Sequence, residues 1–192
     1  MNNLMLAEDS SVKELTLFNH QNKDNKTPQS AKDFIFRKVS PQLACELNSI
    51  WHSILPQIHW SNVVRNTHYV CFVALYDGRF YAVAIWSSPV AQNRFANGKE
   101  MLELRRLAIS KNCPKNTASR MISQNIKTIK RDMPEIKRLI SYQDTEVHLG
   151  TIYKASGWEK ATKTAYIPWD NEKRKRSESQ IKSEKIRWER WL

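Results

Sequence analysis

Five side chains able to take up or release a proton stand on or beside expected helices and strands: His52, Glu103, Asp144, His148 and Tyr153. Asp144 follows an apolar run at 139–141, and ligand groups in open α/β sheets usually lie at such strand exits. It suits contact with a reacting base or amine, and it equally suits capping of its own loop. Tyr153 stands four residues before Gly157 on a short helical segment, where its hydroxyl either serves chemistry or finds a partner in the core, as buried tyrosines ordinarily do. His52 follows Trp51 at the end of an amphipathic run, and His148 lies between Asp144 and Tyr153. Histidines titrate near neutral pH, so the two could shuttle a proton or, together with Asp144, hold a metal ion; the spacing singles out neither scheme. Glu103 alternates with Arg105 along a strand-like stretch, so the two can pair. His59 and His68 read as turn or surface residues.

A second group could meet a polyanion. Arg105 and Arg106 suit phosphates, Ser141 and Tyr142 could hydrogen-bond or stack on a base, and Lys173 and Arg174 belong to a basic run near the C-terminal end. The whole chain of 192 residues has a formal charge of +12. Residues 1–33 and 171–192 account for little of it, leaving +9 on 34–170. A field of that sign attracts nucleic acid and argues against cationic amines as preferred substrates.

The elements that must position these residues are readable in outline. Residues 1–33 lack a sustained apolar period and read as a flexible arm, 34–170 as a catalytic domain, and 171–192 as a basic helix or tail. A strand at 34–38 precedes a helix that Ser40 caps and Pro41 opens. Two β-rich runs flank Asp77-Gly78, the dipeptide suited to a tight hairpin turn with positive φ. MLELRRLAI (101–109) reads as a further strand, and 117–132 as a helix with Ala118, Met121, Ile122, Ile126 and Ile129 on its apolar stripe. A strand at 136–142, a short helix ended by Gly157 and a β segment from 158 complete the order β-α-β-β-β-α-β-α-β, a mixed α+β sheet with helices upon it. Ile181, Trp188, Trp191 and Leu192 fall loosely on one side of the terminal helix.

That order, with YKASGW (153–158) near its end, resembles the GNAT acyltransferase fold. The resemblance implies that Tyr153 faces the sulfur of coenzyme A and can protonate a leaving thiolate. For Glu103 it implies a second reading, as a general base. It also implies that Lys115, Asn116, Thr117, Ala118 and Ser119 form the loop and helix start that cradle a pyrophosphate, as backbone N–H groups at a helix N-terminus can. Only Ala118 matches the family's loop in type; Cys113 stands where arginine or glutamine is usual, and Asn116 where glycine is. The strings LELRRLAI, PKNTAS, SYQD and HLGTIYKASGW together are similar to the phage Mom family, a divergent GNAT branch, over roughly residues 45–170. Mom-type enzymes place a carbamoylmethyl group on the exocyclic amine of adenine in DNA and so shield phage genomes from restriction. The resemblance therefore implies double-stranded DNA as partner and an acyl-CoA-related donor. Two rivals stand beside it: a conventional acetyl-CoA-dependent N-acetyltransferase, and a DNA-binding protein of this fold without catalysis.

No run approaches the roughly 18 apolar residues that cross a bilayer, and MNNLMLAEDSS has no signal-peptide pattern, so a cytoplasmic location without membrane association is expected. Cys45, Cys71 and Cys113 are widely spaced and contain no CxxC pair, which points to reduced, mostly buried thiols.

Overall fold

The computed structural model describes residues 26–52, 55–90, 95–164 and 183–192. A single 3-10 turn at Ala31–Asp33, closed by a reciprocal Ser30–Asp33 capping box, leads into strand β1 (Ile35–Val39). Helix α1 (Pro41–Trp51) starts as its sequence dictates: Ser40 Oγ accepts the Leu43 N–H at 3.3 Å and Pro41 occupies the first turn. A five-residue helix α2 (Trp60–Val64), not expected from the sequence, is opened by the His59 side chain.

Strands β2 (Tyr69–Tyr76) and β3 (Arg79–Ser87) form the expected hairpin, with Asp77 and Gly78 at φ 49° and 71°. Both central residues are left-handed, the geometry that matches strand twist in a two-residue turn. Strand β4 (Met101–Ile109) pairs with β3, but the register slips between Ile85 and Trp86. Leu104 opposes Trp86 and Arg106 opposes Ile85, so Arg105 is an extra residue. This bulge is why leucines at 102, 104 and 107 do not keep strict alternation: all three pack in the same core.

Helix α3 (Thr117–Asp132) buries Met121, Ile122, Ile126 and Ile129 and leads to β5 (Arg138–Asp144), α4 (Thr151–Ala155) and β6 (Glu159–Thr164). The last strand, β7 (Lys185–Trp191), corrects the sequence reading of a terminal basic helix. It inserts between β5 and β6 and is antiparallel to both, giving the order β1-β2-β3-β4-β5-β7-β6. The physical reason lies in a period of two: Ile186 and Trp188 face the core, whereas Arg187 and Glu189 face the other side. The chain end is thus part of the central sheet, not an appendage to a domain ending at 170.

Two apolar layers sandwich the sheet. On one face α3 packs over Phe72, Trp86, Leu102 and Leu139, with Trp158 and Trp188 continuing the layer. On the other, Leu43, Ala44 and Leu47 of α1 cover Cys71, Val83 and Ile85. Helix α1 lies over β2–β4, and no described helix covers β5 and β7 on that face. Among the described residues no helix is long and apolar enough to cross a membrane.

Candidate active site

Strands β4 and β5 are the only parallel pair among the described residues, and their pairing ends at Leu104 and Ser141. Beyond that point β4 follows β3 to Ile109 while β5 follows β7 to Asp144. The sheet therefore opens into a fork beyond Leu104 and Ser141.

On the α3 face, Tyr153 Oη lies 2.8 Å from Ser141 Oγ at the apex of this fork. Trp188 stacks on the Tyr153 ring at 5.4 Å and Trp158 meets it edge-on. Burial pushes the Tyr153 hydroxyl's pKa up, opposed by the Ser141 contact, so it keeps its proton through neutral pH. Ser141 is buried here, on the opposite face of β5 from Tyr142. Of the two residues suggested for base contact, Ser141 takes the alternative role of sheet packing, because neighbouring residues of a strand point to opposite faces.

Towards the start of α3 the same side of the molecule carries a cleft of about 400 Å³. Lys32, Lys115, Arg120 and Lys127 line it together with Asn116, Ser119, Ser123 and Gln124, and no carboxylate does. Asn116 takes a left-handed conformation, φ 67°, and its side chain does not cap the helix. Thr117 Oγ1 donates back to Pro114 O at 2.7 Å and Ser119 Oγ to Asn116 O at 3.1 Å. The N–H groups of Ala118 and Ser119 find no acceptor among the described residues, so the helix start keeps donors for an anion. Of the loop 115–119, Lys115, Asn116 and Ser119 line this cationic concavity, whereas Thr117 is buried. Lys32, Arg120 and Lys127 were not singled out from sequence; their shared position depends on the turn at Ala31–Asp33 folding against α3.

The opposite face carries titratable groups. Glu103 is largely buried; its Oε2 accepts the Val90 N–H at 3.2 Å and its Oε1 lies 3.7 Å from Arg105 Nε. Desolvation raises its pKa above the usual carboxylate value, and Arg105 opposes the rise. Arg105 also donates to Ser87 Oγ at 3.2 Å, and Arg106 donates to its own neighbour's carbonyl at 2.7 Å and to Pro56 O at 3.1 Å. Both arginines thus fasten the site's framework, beside any contact they make with a ligand. Tyr142 is 37% exposed on this face. Burial and the charge of Glu103 raise its pKa, and Arg187 draws it back.

Asp144, two residues on from Tyr142, ends the strand. Its Oδ1 accepts the Glu146 N–H at 3.0 Å, whereas Oδ2 is shielded from water and has no hydrogen-bond partner among the described residues. His52 caps α1, and burial lowers its pKa, helped by nearby Arg106 and His148. The two histidines are therefore neighbours, but among the described residues no group of three His, Cys, Asp or Glu has the arrangement to hold a metal ion. The suggested histidine–Asp144 ligand set does not form.

Strand β7 adds residues that the helical reading hid. Arg187 Nε lies 2.7 Å from Glu189 Oε1, its guanidinium sits over the Phe95 ring at 5.3 Å, and Arg138 pairs with Glu189 from β5. Alternation in KIRWERW is the signal that would have found them. Lys173 and Arg174 lie outside the described residues. Cys45 and Cys71 are buried, and burial pushes the Cys71 thiol up to about 12, so neither is a ready nucleophile.

This arrangement can be set beside known proteins. The model of the Mom protein family matches residues 33–191. The chain belongs to the Mom family. That match takes in β7, so the strand is part of the family's unit. No curated protein matches the sequence. Its fold is that of the GNAT acetyltransferases. The IAA acetyltransferase from Bacillus cereus ATCC 14579 superposes with a TM-score of 0.59 at 11% identity, covering 83% of this chain and 99% of that one. The ribosomal-protein-alanine N-acetyltransferase from Brucella melitensis gives 0.60 at 11%, covering 82% and 99%. A GNAT-family acetyltransferase from Streptococcus pneumoniae gives 0.57 at 12%, covering 83% and 99%. At such identities this Mom-family chain shares a fold with them, and the likeness extends no further.

Proposed function

We propose that this chain is a Mom-type transferase that modifies the exocyclic amine of adenine in double-stranded DNA, in the service of protecting phage DNA from restriction. The observation that carries the reading is the fork between β4 and β5. At it Tyr153 meets Ser141 on one face, the face whose helix α3 starts at a carboxylate-free cationic cleft, and the other face carries an aromatic ring and two carboxylates.

In this reading the donor, an acyl-CoA-related molecule, is held by Lys115, Arg120 and the N–H groups of Ala118 and Ser119, and when bound it supplies the electrophilic carbon. An adenine taken out of the stack lies against Tyr142, with Asp144 Oδ2 accepting a hydrogen bond from its amine. Glu103, whose raised pKa suits a general base better than an ordinary surface carboxylate, takes up the proton that the amine loses. Tyr153 holds a proton at the fork for a leaving group. Arg105 and Arg106 support β4 and its loop, and the net charge of +12 draws the duplex in. His52 and His148 flank the adenine side of the fork.

The test is chemical. Expressing the protein in bacteria and digesting plasmid DNA to nucleosides should yield, by mass spectrometry, a heavier deoxyadenosine whose mass identifies the transferred group. Asp144→Ala should abolish it while leaving DNA binding within about 3-fold, since that binding is mainly to phosphates. A wild-type protein that yields only unmodified deoxyadenosine, yet acetylates an amine from acetyl-CoA without DNA, would replace this reading with a conventional acetyltransferase. Salt-sensitive DNA binding with no covalent product would make it an inactive DNA-binding member of the fold.

A further inference from the structure

Beside the adenine face, the turn that leaves β5 displays apolar side chains to water. Leu149 is 88% exposed and Val147 46%. A lone exposed leucine is ordinary. The unusual feature is that this turn is held firmly on both sides. Thr145 donates to Glu184 O from both its N–H and its Oγ1, at 3.3 and 3.0 Å. The Asp144 carboxylate accepts the Glu146 N–H, its carbonyl accepts the His148 N–H at 3.0 Å, and Gln143 Nε2 donates to His148 O. Gly150 then closes the turn at φ +74°, packed so tightly that a Cβ would lie 2.5 Å from Gln143 Oε1 and 2.7 Å from Trp188 Cζ2. The framework that buries Gly150 and pins His148 leaves the residue between them projecting.

We propose that residues 147–149 form a wedge that enters the DNA base stack, Leu149 filling the space vacated by the target adenine. The inference rests on the DNA-modifying function proposed above. An adenine inside a duplex cannot reach Tyr142 and Asp144 without leaving the stack, and the gap it leaves is stabilised by an apolar side chain. The wedge starts one residue beyond the Asp144 hydrogen-bond turn, so insertion and capture of the extruded base are mechanically one event. Position, beside Tyr142 and Asp144, favours DNA as the occupant. The turn carries Glu146 and no lysine or arginine, so what it adds is apolar contact, while cations elsewhere on the molecule supply phosphate affinity.

The experiment compares wild type, Leu149→Ala and Leu149→Met. Plasmid modification is measured in cells, and purified proteins are titrated against a duplex with 2-aminopurine at an adenine that the wild type modifies, with light scattering of each protein alone. Leu149→Ala is expected to bind the duplex within about 3-fold of wild type but to lose about 10-fold or more of both modification and the 2-aminopurine fluorescence rise. Leu149→Met should recover most of both, and a mismatch opposite the 2-aminopurine should restore the signal to Leu149→Ala because that base is already poorly stacked. Modification and fluorescence equal to wild type in Leu149→Ala would overturn the wedge while leaving the DNA-modifying function standing. A wild type that modifies no adenine would overturn both. A mass in solution that falls on Leu149→Ala would assign the surface to a second copy of the chain and overturn the wedge.

Discussion

Glu103 feels two opposed influences. Desolvation on its strand raises its pKa, while Arg105 and the Val90 N–H hold it down, and the first prevails. A carboxylate accepts a proton only when ionised, so the raised pKa moves the acidic limb of the rate profile upward. The rate of adenine modification should therefore rise with pH through a limb above the ordinary carboxylate range. Glu103→Gln should lose about 100-fold or more in rate and lose that limb, since an amide does not titrate there. Rates of both proteins across a pH series check this; a limb that persists in the variant would assign the titration to another group. The residue types at this site were legible in sequence, including the Glu103–Arg105 pairing. What was not legible was their division between faces. Ser141 and Tyr142 are neighbours in the chain yet lie on opposite sides of the sheet, one against Tyr153 and the other open to water.

At the scale of elements, β7 decides the most. It supplies hydrogen bonds to β5 and β6 together, and Trp188 stacks on Tyr153 while its Nε1 donates to Gln143 Oε1 at 2.7 Å. Trp188→Ala should cost about 3–5 kcal/mol of stability in urea denaturation, the usual range for a large buried aromatic. Ending the chain at residue 182 should be worse: β5 and β6 would each expose an edge, and the expected result is insoluble protein. A terminal helix merely docked on the surface would instead be dispensable. The sequence supported the helical reading because Trp188, Trp191 and Leu192 suit a helical stripe as well as a strand. The gap between β5 and β6, which only a strand can fill, exists solely in the assembled sheet. By contrast, the β2–β3 hairpin and helices α1 and α3 were readable because their signals are local: a turn dipeptide, a cap with proline, and a sustained apolar stripe.

For the whole molecule, the proposed function assigns the positive charge to two ligands at different places. The cleft at the start of α3 gathers four cations, which the proposed function gives to the donor, leaving the rest of the basic surface for the duplex. DNA affinity should fall by roughly 1,000-fold as salt rises from about 50 to about 200 mM, if six or so phosphates are contacted. Joint Lys115→Glu and Arg120→Glu replacement should abolish modification while leaving that salt dependence nearly unchanged, as measured by fluorescence anisotropy on labelled duplex. A large loss of DNA affinity in the double variant would instead place the duplex in the cleft.

Composition and local pattern determined the class of the protein: a basic α/β chain with its hairpin, its two main helices and its acid–base residues on or beside helices and strands. Those features follow from interactions within a few residues, which a sequence records directly. Tertiary structure alone decided the fork after Leu104 and Ser141, the insertion of β7, the meeting of Lys32 with α3, and the projection of Leu149 from a pinned turn. Each depends on contacts between segments far apart in the chain, where packing and hydrogen-bond completion outweigh local preference.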